Sequence, residues 1–370
     1  MKKMQICLIA QFPPPMHGLS KAVETLYNSN LSNEFEFIKI DITSNKKILK
    51  NLIQIWFCKA DLFYLTISQT KGGNLRDLLI LQVLGQRKKR SLIHLHGGYY
   101  RTLVDNDLPI WQKVLNYKVV NKLAGAIVLS ESLKTIFQGM IANQKIFVVH
   151  NCVDDQFLIS DSEFNEKLER VQSKEVLHVL YLSNFIKTKG YPKVLELAKL
   201  EKERCDRGES KQFHFDFAGK FFNEEDRSFF FTYIENNNLQ DFVTYHGVVG
   251  GQKKLQLLRD SDIFILLTRY PNEGQPISII EAMGNGMAIV TTDHSGIPDV
   301  VKDGINGIVV REKDENSLNI YKSITNLKEN INTIMRTNRN ECQRLYRERR
   351  YLDNMAEIFR ILRLRIEEKV

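Results

Sequence analysis

Apolar residues fall along this chain in two alternating patterns. Short, nearly unbroken runs rich in Ile, Val, Leu, Phe and Tyr are separated by longer segments in which apolar positions recur every three or four residues. The first set of runs is QICLIA (5–10), FEFIKID (35–41), DLFYLTI (61–67), SLIHLHG (91–97), GAIVLS (125–130) and KIFVVHN (145–151). Their length and composition predict buried β-strands, with helices between them. After the first run, QFPPPMHG predicts a rigid loop, because three prolines can neither continue a strand nor enter a helix interior. Helical spacing begins at Ser20 with Val23, Leu26 and Tyr27. Residues 154–175 (DDQFLISDSEFNEKLERVQSKE) are polar and lack a clear period, which marks a linker. The alternation then restarts with LHVLYLSN (177–184), FHFDFAG (213–219), FVTYHG (242–247), DIFILLT (262–268), MAIVTTD (287–293) and NGIVV (306–310). Strands alternating with helices predict parallel βαβ units. The expected class is therefore α/β, two doubly wound halves joined by a linker, with ligands at the carboxyl ends of the strands. The C-terminal stretch predicts an Arg-rich helix that buries Leu345, Leu352, Met355, Ile358, Phe359, Leu362 and Ile366.

Length agrees with two halves, since 370 residues is long for one core at ~100–200 residues per domain. An apolar content of 43% and a charged content of 26% exclude disordered and collagen-like chains. The five cysteines are scattered without a C-x-x-C pair, which argues against a disulfide framework or a zinc site and fits a reducing cytosol. The basic N-terminus meets only a short apolar run ending at Gln11, so no secretory signal is read. No segment approaches the ~18–20 apolar residues of a membrane span. A net charge of +8 leaves nucleic acid, an anionic membrane and phosphorylated small molecules as partner classes. No recognised nucleic-acid module accompanies it, and nucleic acid is not expected.

The segment NEGQPISIIEAMGNG (272–286) follows a buried-strand pattern and carries two glutamates eight positions apart, Glu273 and Glu281. Pro276 suits the start of a helix, and the N–H groups of the following turn form an anion site. Glu281 falls among Ile279, Ile280, Ala282 and Met283, where a carboxylate is costly unless something pairs with it. Two carboxylates flanking an anion site suit a ligand with hydroxyls on both sides of a diphosphate, such as a nucleotide sugar. DND (105–107) and DSD (260–262) match the short D-x-D metal pattern, but both read as structural turns, and no metal site is expected.

Glu273 and Glu281, with Gly274, Pro276 and Ala282, resemble the E-x7-E motif of the large "group 1" family of retaining glycosyltransferases, bacterial surface-polysaccharide type. The resemblance spans nearly the whole chain. PPPMHGLS is similar to the family's first Pro- and Gly-rich loop, IHLHGGYYR to its strand ending in histidine, and VVHNCVDDQF to its entry to the linker. LSNFIKTKGY resembles its Arg- and Lys-Gly-containing phosphate loop, and TTDHSGIPDVVKDGINGIVV its closing Gly-rich segment.

The resemblance implies a GT-B fold of two Rossmann-like domains facing a central cleft. The divisions expected are an N-terminal acceptor-side domain over 1–153, the linker over 154–175, a C-terminal nucleotide-sugar domain over 176–350, and a helix over 351–370 packing back on the N-terminal domain. It implies a metal-independent, retaining hexosyltransferase-type enzyme with no cofactor, using a nucleotide-diphosphate sugar (UDP favoured over GDP) and a glycan or lipid-linked glycan acceptor. His96 and Glu273 would be catalytic. Gly18, Asn184, Lys189, Gly274, Gln275, Pro276, Ile277, Ser278 and Glu281 would bind donor, and His17, Tyr99, Tyr100 and Arg101 would lie on the acceptor side. Two positions depart from the family: Asn184 stands where relatives carry Arg, and His17 where they often carry Gly. These departures keep a non-catalytic GT-B subunit open as an alternative, beside a nucleotide-sugar epimerase. Residues 46–90 interleave Lys and Arg with Leu, Ile, Trp and Phe at helical spacing. That pattern reads either as core-facing helices or as a basic edge for anionic lipid, giving a cytoplasmic protein peripheral to the inner face of the membrane.

Overall fold

The computed structural model describes residues 3–14 and 18–367. Among the described residues the apolar runs form twelve strands: β1 Met4–Ala10, β2 Phe35–Asp41, β3 Leu62–Ile67, β4 Ser91–Leu95, β5 Gly125–Val128 and β6 Ile146–Val148, then β7 Leu177–Leu182, β8 Phe213–Ala218, β9 Val243–Tyr245, β10 Ile263–Leu266, β11 Ala288–Thr292 and β12 Gly307–Val310. They assemble into two six-stranded sheets, ordered β2-β1-β3-β4-β5-β6 and β12-β11-β10-β7-β8-β9. Every pairing is parallel. Strand order reverses between β1 and β3 in the first sheet and between β7 and β10 in the second, the places where doubly wound sheets hold ligands beyond their carboxyl ends.

The chain divides into two compact units, residues 1–152 with 271–275 and 348–370, and residues 153–270 with 276–347. In the first unit both sheet faces are buried. Ile55, Ile80, Leu84 and Val120, from helices Ile48–Phe57, Lys71–Gln86 and Ile110–Val120, cover Phe63, Leu65 and Ile93. The other face, with Ile6, Leu8, Leu62 and Tyr64, is covered by Val23 and Leu26 of helix Gly18–Tyr27 and by Met355, Phe359 and Leu362 of the C-terminal helix Glu348–Glu367. Phe359 meets Phe35 edge-on with ring centroids 5.4 Å apart, and Tyr351 donates to the Ala22 carbonyl at 3.3 Å.

Residues 154–175, expected as a linker, contain the Asp161–Ser173 helix, opened by a capping box between Ser160 and Glu163. Phe164, Lys167, Leu168 and Val171 are its buried positions. Their spacing is helical, but the lysine among them breaks the apolar period. The Lys167 ammonium donates to the carbonyls of Leu258 (3.0 Å) and Asn285 (2.9 Å), and burial lowers its pKa to about 7. A lysine satisfied by two carbonyls thus occupies a core position that an apolar count passes over.

On the second sheet Asp216 of β8 is buried and accepts from His178 Nδ1 and His246 Nε2, each at 2.7 Å. Burial works against its charge, but the two imidazoles outweigh it and hold the carboxyl down at about 2. Because its folded pKa lies below the unfolded value of about 3.9, the stabilisation is complete above pH ~4 and lost as pH falls from there toward 2. We expect Asp216→Asn to flatten the acid limb of the unfolding curve and to remove about 2 kcal/mol near neutral pH. Chemical denaturation of both proteins between pH 2 and pH 6 checks this, and parallel pH curves would contradict it.

Candidate functional site

In the first unit the carboxyl end of β4 carries two histidines with different surroundings. His94 is fully buried, with Nδ1 2.7 Å from the Tyr64 hydroxyl, and burial, reinforced by His96 beside it, holds its pKa well below the ordinary imidazole range. His96 follows at the strand end, half-buried, its ring 4.0 Å from that of His94. The chain then turns through Gly97, which lies against segment Pro271–Gln275. A side chain at Gly274 would place its Cβ 2.8 Å from Gly97 Cα and 3.1 Å from Leu129 Cδ1. Only two glycines allow this backbone approach, and it brings the neighbours His96 and Glu273 into one locality.

The same segment is held by side chains. Gln69 donates to the Asn272 carbonyl at 3.3 Å. Gln275 Oε1 accepts from the Asn151 N–H at 2.7 Å, and the Gln275 carbonyl accepts from Asn151 Nδ2 at 2.8 Å. Gln275 is only 3% exposed. Its side chain, expected to bind donor, holds the loop through Asn151. Glu273 lies in this fixed segment, half-buried.

The acceptor-side candidates separate. Tyr100 is buried at 3% exposure, donates to Asn116 Oδ1 at 2.8 Å and packs against Phe137. Arg101 pairs with Asp105 at 2.6 Å and donates to the Gln138 carbonyl at 2.9 Å. Tyr99 is half-buried, its hydroxyl on Asp107 at 2.7 Å. Gly18 opens its helix, exposed. His17 lies outside the described residues.

In the second unit the loops after β7 and β10 meet at the strand-order reversal. The Arg269 N–H donates to the Thr188 carbonyl at 2.7 Å, and the Arg269 guanidinium is held by Asp293 and Glu315 at 2.6 Å each. Beside them the Lys189 ammonium stands 5.2 Å from the Tyr270 ring centroid. Gly190, at φ +84°, ends the Lys189 turn; a Cβ there would meet the Leu267 carbonyl oxygen. Asn184 is exposed, its carbonyl accepting from the Tyr181 hydroxyl at 3.1 Å.

Helix Ile277–Gly284 starts after Pro276, which sits at the N-cap rather than inside the first turn and offers no side-chain acceptor to the N–H groups there. One turn further Glu281 is 4% exposed. Its Oε1 accepts from Lys254 Nζ at 2.6 Å, and that ammonium lies 4.3 Å from the Phe157 ring centroid. Burial pushes the Glu281 carboxyl above its ordinary range, against the pull of Lys254. The demand for a partner was visible in the sequence. Nothing there selected Lys254, on helix Gly251–Asp260, from the other lysines. Tyr270 and Arg269 were also not singled out.

The two D-x-D segments are structural. Asp105 is engaged by Arg101, Lys113 and the Tyr117 hydroxyl, and Asp262 accepts from Lys174 at 2.5 Å and from the His178 N–H at 2.8 Å. Among the described residues no group of three or more His, Cys, Asp or Glu is arranged to hold a metal ion.

The family described as Glycosyl transferases group 1 matches residues 162–348, half of the chain. An uncharacterized 41.2 kDa protein in the cps region of Klebsiella pneumoniae is 25% identical over 272 residues, 70% of this chain and 68% of that protein. The amylovoran biosynthesis glycosyltransferase AmsK of Erwinia amylovora is 33% identical over 91 residues, only 24% of this chain and 22% of that protein. In fold, the chain is similar to Anabaena Alr3699/HepE, solved in complex with UDP. The TM-score is 0.72 at 15% identity, covering 96% of this chain and 99% of the other.

Proposed function

This chain belongs to the group 1 glycosyl transferases, and on that premise we propose that it moves a sugar from a nucleotide-diphosphate sugar to a glycan or lipid-linked glycan acceptor, with retention at the anomeric carbon and without a metal ion. The observation that carries this reading is the different anchoring of the two glutamates. Glu281 is buried on a lysine, next to a helix start that lacks a side-chain cap, while Glu273 sits half-buried in a loop locked by Gly274 and Gln275. Glu281 holds the ribose hydroxyls. Lys189 and the N–H groups of Gly274, Ile277 and Ser278 meet the diphosphate or sugar, and Asn184 donates a hydrogen bond where an Arg would add charge. Glu273 orients the sugar hydroxyls, and His96 contacts the sugar near the reacting carbon.

In the reaction the bond between the anomeric carbon and the diphosphate oxygen breaks as the acceptor hydroxyl attacks from the same face. The acceptor proton passes to the departing diphosphate oxygen. The negative charge that develops there falls on Lys189 and the helix N–H groups, fixed in place before the step. UDP is favoured as the nucleotide, supported by the UDP complex of the Anabaena protein. The relative that acts in amylovoran biosynthesis supports a place in surface-polysaccharide assembly, on the cytoplasmic side.

Two outcomes test this reading. In a thermal-shift series UDP should raise the unfolding midpoint more than GDP, since a ligand of the native state stabilises it by mass action. Donor-dependent release of the nucleoside diphosphate should survive EDTA. Activity lost in chelator and restored by Mg²⁺ or Mn²⁺ would contradict the metal-free assignment. Absence of any release would favour a non-catalytic subunit.

A further inference from the structure

The outer side of the helical layer in the first unit is unusually apolar. Helices Ile48–Phe57, Lys71–Gln86 and Ile110–Val120 pack in that order over one sheet face. Their outward positions include Leu49, Ile53, Phe57, Ile110, Trp111 and Val114, each more than half exposed, with Phe57 at 72% and Ile110 at 81%. Leu75 and Leu79 continue the stripe on the middle helix. Large exposed apolar side chains gathered on neighbouring helices mark an interaction surface. Both tryptophans of the chain, Trp56 and Trp111, belong to it.

Charge decides what covers this surface. Residues 42–130 hold fourteen Lys and Arg against four Asp and no Glu, leaving 38 Lys and Arg against 40 Asp and Glu in the rest of the chain. The whole positive excess of the protein therefore lies in this stretch. On the three helices the only acid is Asp77, buried and paired with Arg76. Lys46, Lys47, Lys50, Lys71 and Lys118 are exposed on or beside the helices that carry the apolar groups, and Arg87 lies over the Trp56 ring at 5.2 Å. A second copy of the chain would set lysines against lysines across a symmetric contact, which is repulsive. An anionic bilayer accepts both features, its headgroups taking the lysines and its upper acyl region the Leu, Ile, Phe and Trp side chains. No described helix is long and apolar enough to cross a membrane, so these helices would lie on the bilayer.

We propose that the outer face of these three helices docks the protein on an anionic lipid surface, with Leu49, Phe57, Ile110 and Trp111 entering the interface and Lys46, Lys47 and Lys50 binding headgroups. The sequence-based expectation covered residues 46–90. The structure extends the surface to the Ile110–Val120 helix and moves weight away from Lys89, which is half-buried and stands 5.8 Å from the Phe63 ring centroid. The proposal stands on the first unit alone and does not depend on the transferase reading.

The two tryptophans make the test direct. Full-length protein is mixed at low salt with vesicles of phosphatidylcholine alone or of phosphatidylcholine with phosphatidylglycerol. The expected result is a shift of tryptophan emission to shorter wavelength and co-sedimentation with the anionic vesicles only, both weakening as salt is raised. The double variant Phe57→Ser/Ile110→Ser should bind about tenfold more weakly at an unchanged unfolding midpoint, and Lys46→Gln/Lys47→Gln/Lys50→Gln should lose the preference for anionic lipid. No emission shift with anionic vesicles, or equal binding by the Phe57→Ser/Ile110→Ser variant, overturns the proposal. An emission shift that grows with protein concentration and needs no vesicles overturns it in favour of a second copy.

Discussion

Glu273→Ala should bind nucleoside diphosphate about as tightly as the parent and turn over at least ~100-fold more slowly with donor saturating, because misplacing a reacting group lowers the rate without lowering occupancy. The expectation rests on how the segment is held. Gly274 against Gly97, Asn272 on Gln69 and Gln275 on Asn151 fix the backbone on both sides of Glu273. These anchors do not involve the carboxylate, so they remain when it is removed. A loss confined to kcat, with an unchanged unfolding midpoint, fits a residue that orients sugar. Normal turnover at saturation would reduce Glu273 to a turn residue.

Lys254→Met should have the largest effect on stability, about 3 kcal/mol, by leaving the buried Glu281 carboxylate unpaired. The pH dependence gives the assignment a sign. Burial raises the Glu281 pKa in the folded protein, and losing Lys254 raises it further. A carboxyl whose folded value exceeds the unfolded one, about 4.3, is fully tolerated below that value and becomes destabilising as pH rises through the folded value. The deficit of Lys254→Met should therefore be greatest near neutral pH and shrink as pH approaches 4. Glu281→Ala removes the buried acid itself, so it should cost less stability. It should still weaken nucleotide binding by ~1.5–3 kcal/mol, the range for a hydrogen bond to a charged group. Denaturation curves at several pH values, with UDP titrations of both variants, separate the two roles. A pH-independent deficit in Lys254→Met would contradict the pairing argument. Unchanged UDP affinity in Glu281→Ala would contradict the ribose role.

Much of the architecture was legible because a strand buried on both faces is written as an uninterrupted apolar run. IFIL in β10 and AIV in β11 leave little choice of element. Less legible were positions where a polar residue is buried by a specific partner. Lys167 hid the Asp161–Ser173 helix inside an apparent linker, since two carbonyls that satisfy its ammonium come from residues 91 and 118 positions away. Gln275 is legible as part of the motif, but nothing near it announces Asn151, 124 positions upstream, which holds its side chain. Tyr99 and Tyr100 are adjacent in sequence, yet Tyr100 turns inward to Asn116 while Tyr99 reaches Asp107. The reverse error was also available. Leu49, Ile53 and Phe57 have the spacing of a core-facing stripe, but Asn51 and Ile55 face inward instead. Periodicity reports that a helix has an apolar face; the packing decides which side it turns to the sheet.

The central claim is transfer of a sugar from a nucleotide-diphosphate donor, with Glu273 orienting the sugar. Proton NMR of the protein with a panel of UDP-sugars in EDTA, with and without glycan or lipid-linked acceptors, tests it most directly. The account predicts appearance of UDP for one donor, acceleration by acceptor, a product with the donor's anomeric configuration, and loss of the signal in Glu273→Ala. UDP-sugars left intact, a product of inverted configuration, or transfer undiminished in Glu273→Ala would contradict it.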